Sequence, residues 1–506
     1  MNLATIIEEH PAEACALVSR GKPTDYGTLR TQVARLRSGL VELGLQPGDR
    51  LAIVSGNNRY FVVSYLAALG AGLVVVPLNP TNPGVAVTKE LNTVGARAVI
   101  VGPAGRAAIE GVDRGDIPTV EFVIGAGFTP GGGLSLEELQ DTVGETSTMT
   151  PIVEREPDDV AVMIFTSGTA GSPRAAMLTH GNLYSNVVQV LSAGGEAQHP
   201  GDVVFGVLPL FHIFGLNVVL GTSLFVGSSV LLVERFDPVS ALESIEKWGV
   251  TIVSGPPTMW AAWAGVPGVD PSVTSSVRLA VSGAAKLPVE VGQAIEAKFG
   301  LHLEEGYGLT EASPVVTSPQ GTDAPAGSIG IPVPGMELRI VDSGGADVLV
   351  GDSGEVWVRG PNVFVGYWDA QEASAAVLSD DGWLRTGDIA VVDDDGYLFL
   401  VDRAKDLIIV SGFNVFPAEV EVVLAEHPAI EACAVVGVAH PYTGEAVKAY
   451  VKARPGVPIE EDDVIAFCAD RLPGYKCPSK VWFVDDIPRG ITGKVLRFEL
   501  KDAERS

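Results

Sequence analysis

The sequence predicts an α/β protein, in which a large amino-terminal domain of doubly wound sheets is followed by a small mobile α+β domain. Three observations support this fold class. Short apolar runs rich in β-branched residues recur between residues 50 and 285, and each ends in a turn that contains glycine or proline. Residues 328–400 alternate apolar and polar side chains instead, and the last hundred or so residues have their own mixture of helical and strand patterns.

The apolar runs lack the alternation that is typical of half-buried strands. They therefore indicate parallel strands that are buried on both faces, and the sequences between them suit crossover helices. The runs are RLAIVSGN, ARAVIVGP, DVAVMIFTSG, SSVLLVER, VTIVSGPP and VRLAVSGAA. Parallel strands joined by helices on both faces make a doubly wound sheet.

Residues 328–400 predict a β-rich subdomain within a large domain that spans residues 1–401. The segments MELRIVD, GEVWVRG and YLFLV alternate in the way that antiparallel strands do, with turns such as DDDG between them. We expect an antiparallel sheet or a small barrel there, with few helices.

Residues 402–506 predict a separate cap domain, with a hinge near Asp402. FPAEVEVVLAEH indicates a helix that has Pro417 in its first turn, and EEDDVIAFCADRL indicates a second helix. CAVVGVAH, AVKAYVKA and VWFVDD indicate strands.

Composition and charge exclude some classes of protein. The chain has 506 residues and a formal net charge of −28, whereas a protein that binds nucleic acid needs a broad basic surface. The four cysteines, at spacings that match no zinc or redox motif, indicate free thiols in a reducing cytoplasm. They are Cys15, Cys433, Cys468 and Cys477.

We expect no targeting or transmembrane segment, and hence a cytoplasmic location. The first residues, MNLATIIEEH, lack the basic and apolar regions of a signal peptide. The most apolar stretch, residues 216–233, is interrupted by polar residues and glycines, so it predicts a buried helix followed by a buried strand. The sequence leaves a homodimer open.

The stretch TSGTAGSPRAAMLTH is a candidate phosphate-binding loop, because it follows the predicted strand DVAVMIF. Glycines allow backbone N–H groups to converge on phosphate oxygens, hydroxyls add donors, and an arginine neutralises charge. A plain surface loop is the alternative that composition alone leaves open. The loop residues concerned are Thr166, Ser167, Gly168, Thr169, Gly171 and Arg174.

A basic island stands out near the carboxyl end of this acidic chain, in RLPGYKCPSKVWFVDDIPRGITGKVLRFELK. A solvated basic face is the ordinary interpretation of such a run. Lys494, however, lies in the glycine-flanked turn GITGK. A mobile domain could deliver its ammonium group to a distant ligand.

Taken together, these motifs resemble the adenylate-forming acyl-CoA synthetase family, which also includes aryl-CoA ligases, luciferases and peptide-synthetase adenylation domains. The resemblance spans nearly the whole chain, with the motifs in family order. They are TSGTAGSPRAAMLTHGNL, PLFHIFGL, SGAAKLP, GYGLTEASP, GWLRTGD, VDRAKDLIIVSGFNV and PRGITGK.

The resemblance implies an enzyme that uses ATP, Mg²⁺ and coenzyme A. Such enzymes join a carboxylic acid to the α-phosphate of ATP, release pyrophosphate, and pass the acyl group from AMP to the thiol of coenzyme A. The implied partners are therefore these small molecules.

The resemblance also implies roles for residues of the nucleotide site. The loop from Thr166 to Gly171 would close over the β- and γ-phosphates, and Glu311, with Thr166, would hold magnesium. Tyr307 would stack on adenine, and Thr310 would contact phosphate. Other implied contacts to the nucleotide are Gly283, Ala284, Ala285 and Gly308.

Further roles follow from the later motifs. Asp388 matches the carboxylate that binds the ribose hydroxyls, and Arg403 a second ribose or phosphate contact. Asp402 matches the hinge that rotates the small domain between the half-reactions. Lys494 matches the lysine that bridges the carboxylate and the α-phosphate. After the small domain has rotated for the second half-reaction, Gly412 would face the pantetheine tunnel.

His212, in PLFHIFG, matches a residue at the mouth of the acyl pocket, where a structural role competes with proton transfer. The phosphate loop departs from the family pattern TSGTTGxPKG at Ala170, Arg174 and Ala175. Arginine keeps the charge but changes its geometry. Since the other site residues remain, we expect an active enzyme rather than a weakly catalytic nucleotide-binding relative.

The acyl pocket is predicted to be apolar, with no partner for a polar group. Its expected walls are HIFGLNVVLG, VSGPPTMWAAW and GLTEASPVV. The substrate is therefore predicted to be a medium- or long-chain fatty acid, with a cinnamate- or benzoate-type aryl acid as the alternative. A relative that acylates a carrier protein is the other possibility, because the first half-reaction is shared. The GFN loop, and a sequence in which we expect no fused carrier domain, favour free coenzyme A.

Overall fold

The computed structural model describes residues 1–142, 149–166, 173–195, 197–403, 406–410, 413–490 and 493–502. Its strands are β1 (Cys15–Ser19), β2 (Lys22–Asp25), β3 (Arg50–Val54), β4 (Val74–Leu78), β5 (Ala98–Val101), β6 (Phe122–Gly125), β7 (Leu134–Ser135), β8 (Val160–Thr166), β9 (Arg174–Thr179), β10 (Val203–Gly206), β11 (Ser229–Leu232), β12 (Ile252–Gly255), β13 (Leu279–Ser282), β14 (Leu303–Glu305), β15 (Tyr307–Gly308), β16 (Val315–Ser318), β17 (Ile331–Pro332), β18 (Glu337–Val341), β19 (Gly354–Arg359), β20 (Leu384–Val392), β21 (Leu398–Arg403), β22 (Ile408–Val410), β23 (Phe413–Val415), β24 (Ile430–His440), β25 (Gly444–Ala453) and β26 (Lys480–Phe483).

The helices connect these strands and cover the faces of the sheets. They are α1 (Tyr26–Glu42), α2 (Arg59–Gly70), α3 (Gly84–Val94), α4 (Arg106–Glu110), α5 (Leu136–Thr142), α6 (His180–Ser192), α7 (Thr222–Val226), α8 (Pro238–Trp248), α9 (Pro257–Gly265), α10 (Val289–Phe299), α11 (Gln371–Val377), α12 (Pro417–Ala425), α13 (Glu461–Ala469) and α14 (Arg497–Asp502).

Two seven-stranded sheets form the large domain, as the apolar runs predicted. One has the order β7-β6-β5-β3-β4-β8-β9 and the other β14-β13-β12-β10-β11-β1-β2. All neighbours are parallel except at one edge of each sheet, where β9 runs against β8 and β2 against β1. The predicted doubly wound α/β architecture is therefore confirmed.

The apolar cores lie between the sheets and on their outer faces. The largest core joins one face of each sheet through helices such as α1 and α2. A second core packs α3 and α4 on the first sheet, and a third packs α8, α9 and α10 on the second. Helices on both faces explain why the strands have continuous apolar sequences.

The β-rich region contains a four-stranded antiparallel sheet of order β18-β19-β20-β21 beside a three-stranded sheet of order β15-β16-β17. The carboxy-terminal residues form a five-stranded sheet, in which β26 pairs with β25, covered by α12 and α13 around a core of its own. Pro417 is the first residue of α12, where its missing N–H costs no hydrogen bond.

The apolar stretch at residues 216–233 is a buried helix followed by a strand. A π-helical segment, Phe214–Gly221, runs into α7, and β11 follows. Within the described ranges, no helix combines the length and the apolarity that a membrane crossing needs. None of the four cysteines is in a disulfide, and burial raises the pKa of the Cys433 thiol to about 12.

His180, at the start of α6, ties the amino-terminal segment to the large domain. Its Nδ1 accepts a hydrogen bond from the Leu3 backbone N–H at 3.2 Å, and its ring is fully buried. Burial, and secondarily the Arg155 guanidinium, lower the pKa of His180 to about 4, while Asp159 opposes them. The ring is therefore neutral in the folded protein at pH 7.

This histidine is expected to make the protein less stable as the pH falls. The unfolded chain binds a proton at His180 below about pH 6.5, whereas the folded chain resists protonation down to about pH 4. The free energy of unfolding therefore decreases through that window, by roughly 2 kcal/mol between pH 7 and pH 5. Urea unfolding at the two pH values should show a correspondingly smaller loss in His180→Gln. The exposed His302→Gln serves as the control, and equal losses in all three proteins would contradict the prediction.

Candidate active site

One cavity of about 770 Å³ lies where the carboxyl ends of β8, β13 and β14 face the carboxy-terminal domain. Ligands of doubly wound sheets bind at this edge. The cavity collects most of the predicted site residues. Those that line it are Thr166, Arg174, His212, Gly283, Ala284, Tyr307, Gly308, Thr310, Glu311 and Lys494.

The remaining predicted residues fall outside the wall or outside the described residues. Asp388 and Ala285 adjoin the lining residues Tyr307 and Ala284. For Arg403 only the backbone is described, and it pairs with Asp388 across β20 and β21. The predicted residues that lie outside the described ranges are Ser167, Gly168, Thr169, Gly171 and Gly412.

Tyr307 and Asp388 are joined by a short hydrogen bond. The Tyr307 hydroxyl donates to Asp388 Oδ2 at 2.6 Å, and both residues are buried. The Asp388 backbone N–H in turn donates to Thr386 Oγ1 at 3.1 Å. These contacts fix a carboxylate beside an aromatic ring, which is an arrangement suited to a nucleoside: the ring can stack on a base and the acid can accept from sugar hydroxyls.

Glu311 is held by Tyr367, which the sequence motifs did not single out. The Tyr367 hydroxyl donates to Glu311 Oε1 at 2.7 Å, and the Arg174 guanidinium lies 5.7 Å from the centre of the Tyr367 ring. Burial, and then the Glu311 charge, raise the pKa of Tyr367, so it stays a proton donor. Tyr367 therefore links Arg174, at the end of the candidate phosphate-binding loop, to Glu311.

Glu311 and Thr166 fit a magnesium ion that arrives with a nucleotide. Both line the cavity, and within the described ranges no cluster of three or more acids, histidines and cysteines offers a preformed metal cage. Mg²⁺ in nucleotide sites keeps several waters and takes only one or two protein ligands beside the phosphates. A hydroxyl and an acid that is oriented by a tyrosine meet that requirement.

Lys494 reaches the cavity on a compact turn of the small domain. The Gly490 N–H donates to Lys494 O, and the Gly493 N–H to Gly490 O, each at 2.8 Å. Gly493 has a φ of +79° and touches α9 of the large domain, because a Cβ there would lie 2.6 Å from Thr258 Cγ2. Only glycine lets this turn approach so closely.

Asp402 stands between the two domains. Its backbone pairs with Ile389 at the end of the β20–β21 ladder, while its Oδ2 accepts from the Ala418 N–H in the first turn of α12 at 2.8 Å. The residue predicted to be a hinge thus contacts β20 of the large domain and α12 of the small domain. If the small domain rotated about Asp402, the hydrogen bond to Ala418 would either break or move together with the small domain.

His212 is neutral and structurally engaged. Its Nδ1 accepts from the Phe214 N–H at 3.2 Å, and burial lowers its pKa to about 4. A histidine in this state is poorly suited to accept a proton near pH 7. The Phe214 ring packs on Gly283, where a Cβ would lie 2.8 Å from Phe214 Cε1, and both residues line the cavity.

The inner part of the cavity differs from the predicted acyl pocket in two ways. Trp260 and Trp263, which were expected in its wall, instead lie buried in the core between the second sheet and its outer helices. The expected absence of polar partners is also wrong, because Gln198, Glu304 and Gln320 line the cavity. The prediction missed them because they lie in segments outside the motifs, which only the folded chain brings together.

Most of the inner lining is apolar, as expected. The apolar side chains come from the second sheet and from the helices that face it. They are Val190, Leu191, Val204, Val218, Val219, Ile252, Leu279 and Val281.

Two family models of known enzymes match most of the chain. The AMP-binding enzyme model matches residues 3–368, and the model of the AMP-binding enzyme C-terminal domain matches residues 419–494.

Named relatives match over nearly all of their own length. A feruloyl-CoA synthase of Amycolatopsis sp is 37% identical over 96% of this chain and 95% of its own. A long-chain-fatty-acid–CoA ligase of Escherichia coli O157:H7 is 35% identical over 98% of this chain and 92% of its own. The crystal structure of ATP-bound MatB from Rhodopseudomonas palustris has a TM-score of 0.90 at 32% identity, with 100% of this chain and 99% of that chain covered.

The link between Tyr367 and Glu311 predicts a specific defect in Tyr367→Phe. Without the hydroxyl, Glu311 loses a charged hydrogen bond and is no longer held in place. We expect the Mg²⁺ concentration that half-saturates binding in the presence of ATP to rise about tenfold, as measured by calorimetry. Tyr442→Phe, at an exposed site, is the matched control. An unchanged Mg²⁺ requirement in Tyr367→Phe would show that Tyr367 does not position Glu311.

Proposed function

We propose that a hydrophobic carboxylic acid is the substrate of this chain, which belongs to the AMP-binding enzyme family and is an ATP-dependent acid–CoA ligase. It uses ATP, Mg²⁺ and coenzyme A. One observation supports the proposal above all: the cavity that receives Lys494 and Glu311 continues into a largely apolar recess.

The proposed reaction has two balanced steps. A carboxylate oxygen of the acid attacks the α-phosphorus of ATP. The bond between the α-phosphorus and the oxygen that bridges the α- and β-phosphates breaks, and pyrophosphate leaves. The thiolate of coenzyme A then attacks the carbonyl carbon of the acyl-AMP, the bond between that carbon and the phosphate oxygen breaks, and AMP leaves. The thiol proton passes to solvent.

The cavity residues are assigned to the first step. Lys494 would bind the acid carboxylate and the α-phosphate together, which stabilises the charge that develops between them. Glu311 and Thr166 would hold Mg²⁺, and the bound ion neutralises charge on the leaving pyrophosphate. Tyr307 and Asp388 would bind adenine and ribose.

The second step requires the small domain to turn. We assign the hinge to Asp402, the large domain to residues 1–401 and the cap domain to residues 402–506. Gly412 would then come to the thiol tunnel. The cytoplasmic location and the homodimer stay predictions.

Two classes of acid remain candidates within the proposal. A medium- or long-chain fatty acid suits the apolar lining and the similarity to long-chain ligases. An aryl acid is favoured by the similarity to feruloyl-CoA synthases and by the polar side chains in the recess.

Lys494→Ala should separate the two steps. We expect acid-dependent exchange of pyrophosphate into ATP to fall by about a hundredfold or more, because the charge in the transition state loses its main partner. Thioester formation from preformed acyl-AMP should survive. Lys480→Ala, on the exposed face of the same domain, is the control. Undiminished exchange in Lys494→Ala would refute the role of this lysine.

A panel of acids tests the substrate class directly. Saturated fatty acids of graded length, cinnamic and benzoic acids and short dicarboxylic acids are compared by kcat/KM for thioester formation with coenzyme A. We expect hydrophobic acids to exceed the dicarboxylic acids by at least about tenfold, since burial of each CH₂ contributes roughly 0.8 kcal/mol. Preference for dicarboxylic acids, or ATP binding without turnover of any acid, would contradict the proposal.

A further inference from the structure

We propose that Glu304 binds a hydroxyl group on the acyl substrate and so selects hydroxylated acids over their plain analogues. The inference rests on the proposed function, since it concerns the same acyl recess. It goes beyond that function because it assigns the selection to one side chain and one chemical group.

Glu304 belongs to the wall of the recess through the register of the second sheet. On parallel neighbours, Ser254 of β12 pairs with Val281 of β13, and Val281 pairs with Glu304 of β14. All three line the cavity. Glu304 lies two residues before Gly306, hence roughly 7 Å deeper than the strand end that faces the nucleotide.

The Glu304 carboxylate has an unused oxygen. Oε2 is buried, and no residue of the described ranges gives it a hydrogen bond. A buried polar atom without a partner costs free energy, so native proteins seldom retain one unless a ligand or water completes it. Burial raises the pKa of Glu304, and only Gln320 and His302 oppose that effect.

The next residue along the strand shows what a structural glutamate does here. Glu305 points away from the recess, and its Oε1 accepts from the Leu287 N–H at 2.9 Å, which ties down the chain that leads to α10. Glu304 has no such bond at Oε2. A structural hydrogen bond therefore explains why residue 305 is a glutamate, but it does not explain the Oε2 atom of Glu304.

The amide nitrogen of Gln198, by contrast, is hydrogen-bonded within the protein. Gln198 Nε2 donates to Ser223 Oγ at 3.0 Å and to Ser228 Oγ at 2.6 Å, so both of its N–H groups are used in hydrogen bonds within the protein. Against the effect of burial, the Gln320 side chain lies close enough to the Glu304 carboxylate to lower its pKa. Glu304 thus combines a place in the wall of the recess with a carboxylate oxygen that lacks a hydrogen-bond partner within the described residues.

A hydroxyl is the ligand group that fits this capacity. An ionised carboxylate only accepts, so it needs a donor, and a protonated carboxyl also donates; a hydroxyl can do both. An aliphatic or unsubstituted aryl group would leave Oε2 without a partner, whereas a hydroxyl would supply one. A hydroxyaryl acid and a hydroxylated fatty acid share this chemistry, and the test separates them.

The test compares matched acids in three proteins. The pairs are 4-hydroxycinnamic against cinnamic acid and 10-hydroxydecanoic against decanoic acid, each assayed for thioester formation with coenzyme A. In the wild type we expect kcat/KM to favour the hydroxylated member of at least one pair by about tenfold to a hundredfold. The pair that shows the preference identifies the source of the hydroxyl.

The variants assign the preference to Glu304. Glu304→Leu should abolish it, and Glu304→Gln should keep part of it, because an amide still forms a hydrogen bond. Glu296→Leu, on the exposed face of α10, should leave it unchanged. Ratios of kcat/KM do not depend on the folded fraction, so partial misfolding of a variant does not obscure the result.

Two outcomes would overturn the inference. The wild type could treat both members of each pair alike, or Glu304→Leu could retain the full preference. If no acid formed a thioester, the proposed function would fail on its own. The ratio of dissociation constants for each pair, measured by calorimetry in the presence of AMP, would still test Glu304.

Discussion

The site depends on the close approach of one glycine turn to one helix. Lys494 reaches the cavity because Gly493 lies against Thr258 of α9 with no Cβ between them. The protein carries a net charge of −28 and its substrates are anions, so long-range attraction does not help it. Charges are screened beyond about 8 Å at physiological ionic strength. A cation that the fold brings into the cavity, in the role proposed for Lys494, would therefore outweigh the unfavourable overall charge.

Two acidic residues of the site, Asp388 and Glu311, follow one design, in which a tyrosine hydroxyl donates a hydrogen bond to the carboxylate. Tyr307 donates to Asp388 at 2.6 Å and Tyr367 donates to Glu311 at 2.7 Å. A phenol neither repels an anionic nucleotide nor competes for magnesium as a second carboxylate would. Fixing the acids before the substrate arrives lowers the entropy that is lost on binding.

The sequence predicted the features that are determined by neighbouring residues and missed those that depend on residues far apart in the chain. The strands, the helix beginning at Pro417 and the ordered motifs are set by neighbouring residues, and they predicted the doubly wound domain and the residues around Glu311. Tyr367 is 56 positions from Glu311, and Glu304 enters the recess only through the register of β13 and β14. Pairings of this kind depend on tertiary structure. The tryptophans of α9 show the opposite error, since an apolar helix next to a motif packs equally well into the core.

Arg174 shows how the departure from the family loop is accommodated. The sequence suggested that arginine in place of lysine would change the geometry around the phosphates. In the structure the Arg174 guanidinium lies over the Tyr367 ring, and the hydroxyl of that ring holds Glu311. A planar guanidinium stacks on an aromatic face better than an ammonium does and still offers donors at its edge. The arginine therefore belongs to one connected unit with Tyr367 and Glu311, so its effect has to be judged together with Tyr367 rather than by charge alone.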